Sequence, residues 1–182
     1  MPTLSILQLI LAGTLVLVPP TALPTHERQA KLTDANVVAI FDAANTFDIE
    51  TGTLAATKAS ATEVRELGKQ FAEAHRNVRQ QGRDLARKLG ITPMLPKGDQ
   101  GAAQHEAAMK ELKAKQGAEF DRGFLAHEIA FHQAVIDAVT STLLPAAQNP
   151  ELRKFIEGVA PAFNGHLQQA KAVQEKVVAA AR

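Results

Sequence analysis

Length, composition and charge narrow the classes of protein to which this chain can belong. Its 182 residues suit one domain with a short appendage, and 46% of them are hydrophobic. The formal net charge is +1, from 20 basic and 19 acidic residues, and no basic stripe with interleaved aromatic residues indicates a nucleic-acid partner. The sequence has no cysteine, which excludes disulfides, thiolate metal sites and cysteine nucleophiles.

The N-terminal segment differs from the rest of the chain. Residues 4–18 form an uncharged, nearly unbroken apolar run. This run is shorter than a membrane-spanning helix of roughly 20 residues and is typical of a secretory signal. We therefore expect residues 1–30 to be a signal peptide or N-terminal anchor with a linker, followed by a folded domain at 31–182. A buried N-terminal helix of the domain itself is the alternative interpretation.

Apolar residues at three-, four- and seven-residue spacings predict four long amphipathic helices in the rest of the chain. Abundant alanine and few β-branched runs favour the same secondary structure. A loop rich in proline and glycine and one shorter helix separate the second long helix from the third. The predicted spans, in chain order, are 33–59, 62–89, 102–115, 117–142 and 151–182.

Capping residues support these boundaries. Thr33 or Asp34 is suited to cap the first long helix, and Ser60 or Thr62 to cap the second. Asn149 precedes a proline that suits the first position of the last helix. With short connections between successive long helices, the predicted fold is all-α, an antiparallel four-helix bundle with an extra short helix between the second and third main helices.

Each long helix carries a side chain that can ligate a metal on its own apolar stripe. Glu50, for example, lies three residues after Phe47 and four before Leu54. Burying an isolated carboxylate or imidazole costs several kcal/mol, so such residues need partners. In an antiparallel bundle these positions fall at a similar depth, which predicts one shared cluster. Its predicted members are Glu50, His75, Glu128, His132 and His166.

Two interpretations of this cluster are open. Imidazoles with carboxylates suit a transition metal such as zinc, iron or copper, whereas calcium prefers more oxygen ligands. In this interpretation the five residues are ligands. His127 lies outside the coordination shell and helps to hold one ligand in place. Alternatively, the cluster is a buried polar network that fixes the register of the helices without any ion.

Several segments also carry a family resemblance. The chain resembles the domain-of-unknown-function 4142 family of exported bacterial proteins over roughly residues 33–175. The resemblance implies a ferritin-like four-helix fold and a periplasmic or outer-membrane-associated location, but no established activity. The Glu-x-x-His signature of di-iron proteins is missing, since Glu128 and His132 are four residues apart, so no ferroxidase is implied. The segments that carry it are FDIETGTLA (47–55), FAEAH (71–75), FDRGFLAHEIAFHQAVID (120–137) and PAFNGHL (161–167).

Two functions follow from these observations. The first is an exported bundle that binds a transition-metal ion and acts in metal handling or envelope stress, with the ion as its partner and envelope association through the N-terminus. The second is a non-enzymatic envelope scaffold whose His/Glu network is purely structural. A hydrolase using Glu128 and His132 is weaker, because the sequence has no serine elbow and no glycine-rich phosphate loop. No motif indicates nucleotide binding.

Overall fold

The computed structural model describes residues 31–180, in which the regular secondary structure is helical, with no strand. The predicted all-α class is therefore confirmed, as is a shorter helix between the second and third long ones. The expected signal peptide or anchor at residues 1–30 lies outside the described residues. The helices are α1 (Asp34–Lys58), α2 (Thr62–Lys88), α3 (Gly101–Ala114), α4 (Gly117–Ala138) and α5 (Pro150–Ala180).

The third long helix does not continue as predicted. After Ala138 the chain winds as a π-helix over Val139–Leu143 and then makes one helical turn at Leu144–Ala146. The apolar spacing of this stretch is compatible with either winding, so it could not locate the change. Among residues 31–180, no helix combines the length and the apolarity needed to cross a membrane.

Two of the predicted helix caps are confirmed. The Thr33 hydroxyl accepts the backbone N–H of Asn36 at 3.3 Å, and the Asn36 amide oxygen accepts the N–H of Thr33 at 3.0 Å. The side chain of Asn149 accepts the N–H groups of Glu151 and Leu152 at 2.9 and 3.3 Å. Both caps use residues within three positions of the helix start, where local sequence rules apply.

The predicted cap of α2 was wrong. Neither Ser60 nor Thr62 caps this helix; its N-cap position is Ala61, which makes no side-chain hydrogen bond. The buried carboxylate of Asp121 on α4 instead accepts the N–H groups of Ser60 and Ala61, both at 2.8 Å, and the Ser60 hydroxyl. One carboxylate thus fixes the α1–α2 connection onto α4.

Helices α1 and α2 pack unusually closely and run antiparallel. A Cβ atom added at Gly52 would lie 2.6 Å from the carbonyl oxygen of Gly68, and one at Gly68 would lie 2.7 Å from that of Gly52. The two glycines therefore allow the backbones of α1 and α2 to approach closely. Seven residues before Gly52, Asn45 contacts His75, which lies seven residues after Gly68.

The apolar core consists of two clusters. One is centred on Val37, Phe41, Ile156 and Phe163, and the other on Phe71, Phe120, Phe124 and Leu125. A group of buried polar side chains lies between them. Phe71 of the second cluster stacks on His166 with ring centroids 4.5 Å apart, and Phe163 of the first lies 5.7 Å from the ring of His75.

Candidate metal centre

Four of the five predicted ligands lie together in the interior. His75 on α2 is 1% exposed, and Glu128 and His132 on α4 are fully buried. His166 on α5 is half-buried. The fifth predicted ligand, Glu50, lies elsewhere, and α1 contributes Asp48 in its place, at 2% exposure.

The hydrogen bonds of two histidines fix which ring nitrogen carries the proton. Nδ1 of His75 lies 2.9 Å from the amide oxygen of Asn45, whose NH₂ group donates to the carbonyl of Phe41 at 2.8 Å. Nδ1 of His132 lies 3.0 Å from the backbone carbonyl of Glu128. Because both partners are acceptors, the proton of each neutral imidazole is assigned to Nδ1. Nε2 of each ring is left with a free lone pair.

Both free nitrogens face the third histidine. Nε2 of His75 lies 3.1 Å from Nδ1 of His166, and Nε2 of His132 lies 3.4 Å from the same atom. All three histidines offer a nitrogen within 4.8 Å of the others. A tetrahedral ion with metal–nitrogen bonds of about 2.0–2.1 Å holds its nitrogens about 3.3 Å apart. The spacings of 3.1 and 3.4 Å therefore fit nitrogen ligands of one such ion.

Two buried carboxylates adjoin the histidine rings. Oδ2 of Asp48 lies 3.5 Å from Nε2 of His75, and Oε2 of Glu128 lies 3.5 Å from Nδ1 of His132. Oδ1 of Asp48 and both carboxylate oxygens of Glu128 have no hydrogen-bond partner among the described residues. A buried, unpaired acceptor costs about 1–3 kcal/mol, and more when it is charged. The carboxylates therefore need a cation or a proton.

Burial pushes each of these groups towards its neutral form. It lowers the pKa of His75 to about 2 and that of His132 to about 4, with neighbouring imidazoles adding to the effect. It also raises the pKa of Glu128 to about 7, while burial and the charge of Glu128 raise the pKa of Asp48 well above its usual range. Neutral imidazoles are the form that ligates metals. A divalent cation would also stabilise both carboxylates as anions.

The interior placement predicted for Glu50 was wrong. Its side chain is 52% exposed and its Oε2 lies 2.8 Å from Nε2 of His105 on α3. The prediction used the stripe that includes Phe47 and Leu54, but the structure buries the neighbouring stripe of Phe41, Asn45, Asp48, Gly52 and Ala55. Close packing on α2 selects that face, because only small side chains fit opposite Gly68.

His127 is placed outside the cluster. It is half-buried, stacks on Phe131 with centroids 5.8 Å apart, and its pKa is lowered to about 4 by burial and by neighbouring His105. It is also close enough to contribute to the lowered pKa of His132. Within residues 31–180, no hydrogen bond joins His127 to a histidine ring of the cluster. The predicted contact by which His127 would hold a ligand in place is therefore not observed in that part of the chain.

Asp48 and Asn45 are the residues of this site that sequence reasoning missed. Both lie on the face of α1 that carries Gly52, three or four residues apart along one stripe. That stripe is mostly small or polar, so it lacks the large apolar residues by which a buried face is usually detected.

Comparison with protein families shows which family this chain belongs to. A family model described as "Domain of unknown function (DUF4142)" matches residues 19–173. The chain belongs to this family. Comparisons with curated proteins and with solved structures gave no match. The DUF4142 region contains every member of the buried cluster, Asp48, His75, Glu128, His132 and His166, so the cluster belongs to the family domain and not to an appended segment.

Proposed function

We propose that this DUF4142 protein is an exported, ferritin-like four-helix bundle that holds a transition-metal ion between its helices. His75, His132 and His166 supply nitrogen ligands, and Asp48 is the carboxylate nearest to them. Glu128 lies behind, beside the other nitrogen of His132. The proposal rests on one observation: ring nitrogens from three helices converge at 3.1 and 3.4 Å, with Oδ2 of Asp48 3.5 Å from one of them.

The donor set indicates the class of ion. Three imidazoles with one or two carboxylates suit zinc, copper or iron. Burying a charged carboxylate costs several kcal/mol. The two positive charges of a divalent ion offset this cost for two carboxylates. We therefore propose metal handling or protection of the envelope as the physiological role.

The cellular location is a proposal from the sequence. The apolar run at residues 4–18 is typical of a secretory signal, and the family resemblance implies a periplasmic or outer-membrane-associated protein.

The antiparallel packing of α1 on α2 and the contact of α4 with α5 at His132 and His166 support the proposed four-helix bundle.

The competing function is a scaffold with a purely structural network. The hydrogen bonds that run from Asn45 through His75 to His166 favour it, because they join α1, α2 and α5 without an ion. In that case the carboxylates stay protonated, and no metal is retained.

Metal loading separates the two functions. The untagged full chain, stripped with a chelator, is loaded separately with Zn²⁺, Cu²⁺ or anaerobic Fe²⁺, desalted and measured by elemental analysis. We expect about one tightly held ion per chain for at least one metal, as three nitrogens and a carboxylate fill one coordination shell. Retention well below one for all three metals would favour the scaffold.

Variants locate the ion in the cluster. His166→Gln is the first choice, because His166 is only half-buried and its replacement disturbs the core least. We expect it to lose the tightly held ion while its circular dichroism stays that of the parent. The matched control is Glu119→Gln, which removes an exposed carboxylate from the first turn of α4 and should retain the ion.

A further inference from the structure

One side chain beside the buried centre holds the ring of His75 at the nitrogen that does not face the other histidines. Asn45 on α1 is fully buried, and its amide oxygen lies 2.9 Å from Nδ1 of His75 on α2. Its NH₂ group donates to the carbonyl of Phe41 at 2.8 Å, one turn earlier on the same helix. Because that bond assigns which end of the amide carries the oxygen, the imidazole faces an acceptor, and Nδ1 donates to it.

The other nitrogen of the His75 ring faces a competing acceptor. Nε2 of His75 lies 3.5 Å from Oδ2 of Asp48, a buried carboxylate. Without an acceptor at Nδ1, the proton of the neutral ring would move to Nε2, because a buried N–H group without a partner costs free energy. A proton on Nε2 blocks the lone pair that ligates a metal. The amide of Asn45 therefore decides whether His75 presents a ligand or a donor to the cluster.

His132 shows why this dependence falls on His75. Nδ1 of His132 lies 3.0 Å from the backbone carbonyl of Glu128, four residues earlier in α4. A backbone carbonyl is present whatever the side chains are, so the helix itself fixes the proton of this ring. His75 instead takes its acceptor from a side chain on another helix, and a single substitution can remove that acceptor.

We propose that Asn45 is a positioning residue for the metal centre, which keeps the proton of His75 on Nδ1 and so keeps Nε2 available to the ion. Its effect on affinity rests on the proposed metal-binding function, whereas its effect on the imidazole proton is a property of the metal-free chain. Loss of a residue that holds a metal ligand in this way typically weakens metal binding by about 10- to 100-fold.

Nitrogen NMR of the metal-free full chain tests where the proton lies. Long-range proton–nitrogen spectra distinguish a protonated ring nitrogen from one with a free lone pair. We expect Nδ1 of His75 to be protonated in the parent, and Nε2 to carry the proton in Asn45→Leu, which removes the acceptor at similar size. Asn45→Ala is made alongside as a smaller change with the same expected result. Asn45→Asp keeps an acceptor at this position and should restore the proton to Nδ1.

The matched control is Ile49→Val, which alters another buried side chain of α1 without removing a hydrogen bond. It should leave the proton of His75 on Nδ1 and the dissociation constant for Zn²⁺ unchanged. Asn45→Leu and Asn45→Ala should bind Zn²⁺ at least about tenfold more weakly than the parent, and Asn45→Asp more tightly than either.

The proposed role of Asn45 is overturned if both Asn45→Leu and Asn45→Ala keep the proton on Nδ1, or if both bind Zn²⁺ as tightly as the parent. Failure of the metal centre has a different signature, since the parent itself would then retain no ion. The nitrogen shifts of His75 would still decide whether Asn45 places its proton.

Discussion

At the scale of single residues, Glu128 is a buried carboxylate whose burial costs stability in the metal-free fold. It is fully buried, and neither carboxylate oxygen has a hydrogen-bond partner there. Burial raises its pKa from 4.5 to about 7. A residue that served only the stability of the metal-free fold would not be expected in this state, because glutamine has the same shape without the charge.

This reasoning predicts a pH-dependent effect of Glu128→Gln on the metal-free protein. The folded pKa lies above the unfolded one, so the parent loses stability as pH rises from about 4.5 through 7. Residue 128 does not titrate in the variant. Since a tenfold change in proton affinity corresponds to about 1.4 kcal/mol, the variant should gain on the order of 2–3 kcal/mol over the parent between pH 5 and pH 8. Urea unfolding in the presence of chelator measures the difference.

Glu119→Gln on the same helix serves as the control and should show no such change with pH, because its side chain is 68% exposed. A structural network predicts the opposite sign for Glu128→Gln. Breaking a buried network by removing one partner destabilises by about 3–5 kcal/mol, and a loss of that size at pH 8 would contradict the metal-site interpretation.

Residue spacing alone could identify most of the buried site, but not all of it. His75, Glu128, His132 and His166 were found, because each lies on a stripe of large apolar residues that marks a buried face. Glu50 was wrongly chosen over Asp48, because both lie on α1 beside apolar residues and only the packing against α2 decides which of them points inward. That decision depends on Gly68, which belongs to another helix.

At the scale of elements, the contact of Gly52 with Gly68 sets the separation of α1 and α2. Gly52→Ala should destabilise the protein by about 2 kcal/mol, because overpacking costs about 1–3 kcal/mol and outweighs the better helix propensity of alanine. The matched control is Gly158→Ala on α5, where an added Cβ meets nothing within 4 Å, and this change should stabilise by up to about 1 kcal/mol. Urea denaturation of both variants measures the two effects. Equal stabilisation by both substitutions would contradict the close-packed interface.

Element boundaries were predictable only where the signals are local. Thr33 and Asn149 cap helices that begin within a few residues, and both were found from sequence. Asp121 binds the two N–H groups that precede α2 from a helix some 60 positions further along the chain, so no local rule could identify it. The π-helical winding after Ala138 likewise leaves no mark in the apolar spacing.

At the scale of the whole molecule, the buried cluster joins four of the five helices. α1 contributes Asp48, α2 His75, α4 Glu128 and His132, and α5 His166, whereas α3 contributes nothing. An ion bound there contacts segments that are far apart in sequence, so its binding free energy adds directly to the stability of the fold. At a free-ion concentration a thousand times the dissociation constant, this linkage is worth about 4 kcal/mol.

This linkage predicts that the bound ion slows amide hydrogen exchange in particular helices and also raises the unfolding temperature. Hydrogen exchange with and without the tightly bound ion should show added protection in α1, α2, α4 and α5 around the cluster, and chelator should reverse it. α3 serves as the internal control. The comparison is made with just enough Zn²⁺ to fill the tight site. Equal added protection in α3 would indicate general stabilisation, and protection confined to a single helix would mean that the ion does not bridge the four helices.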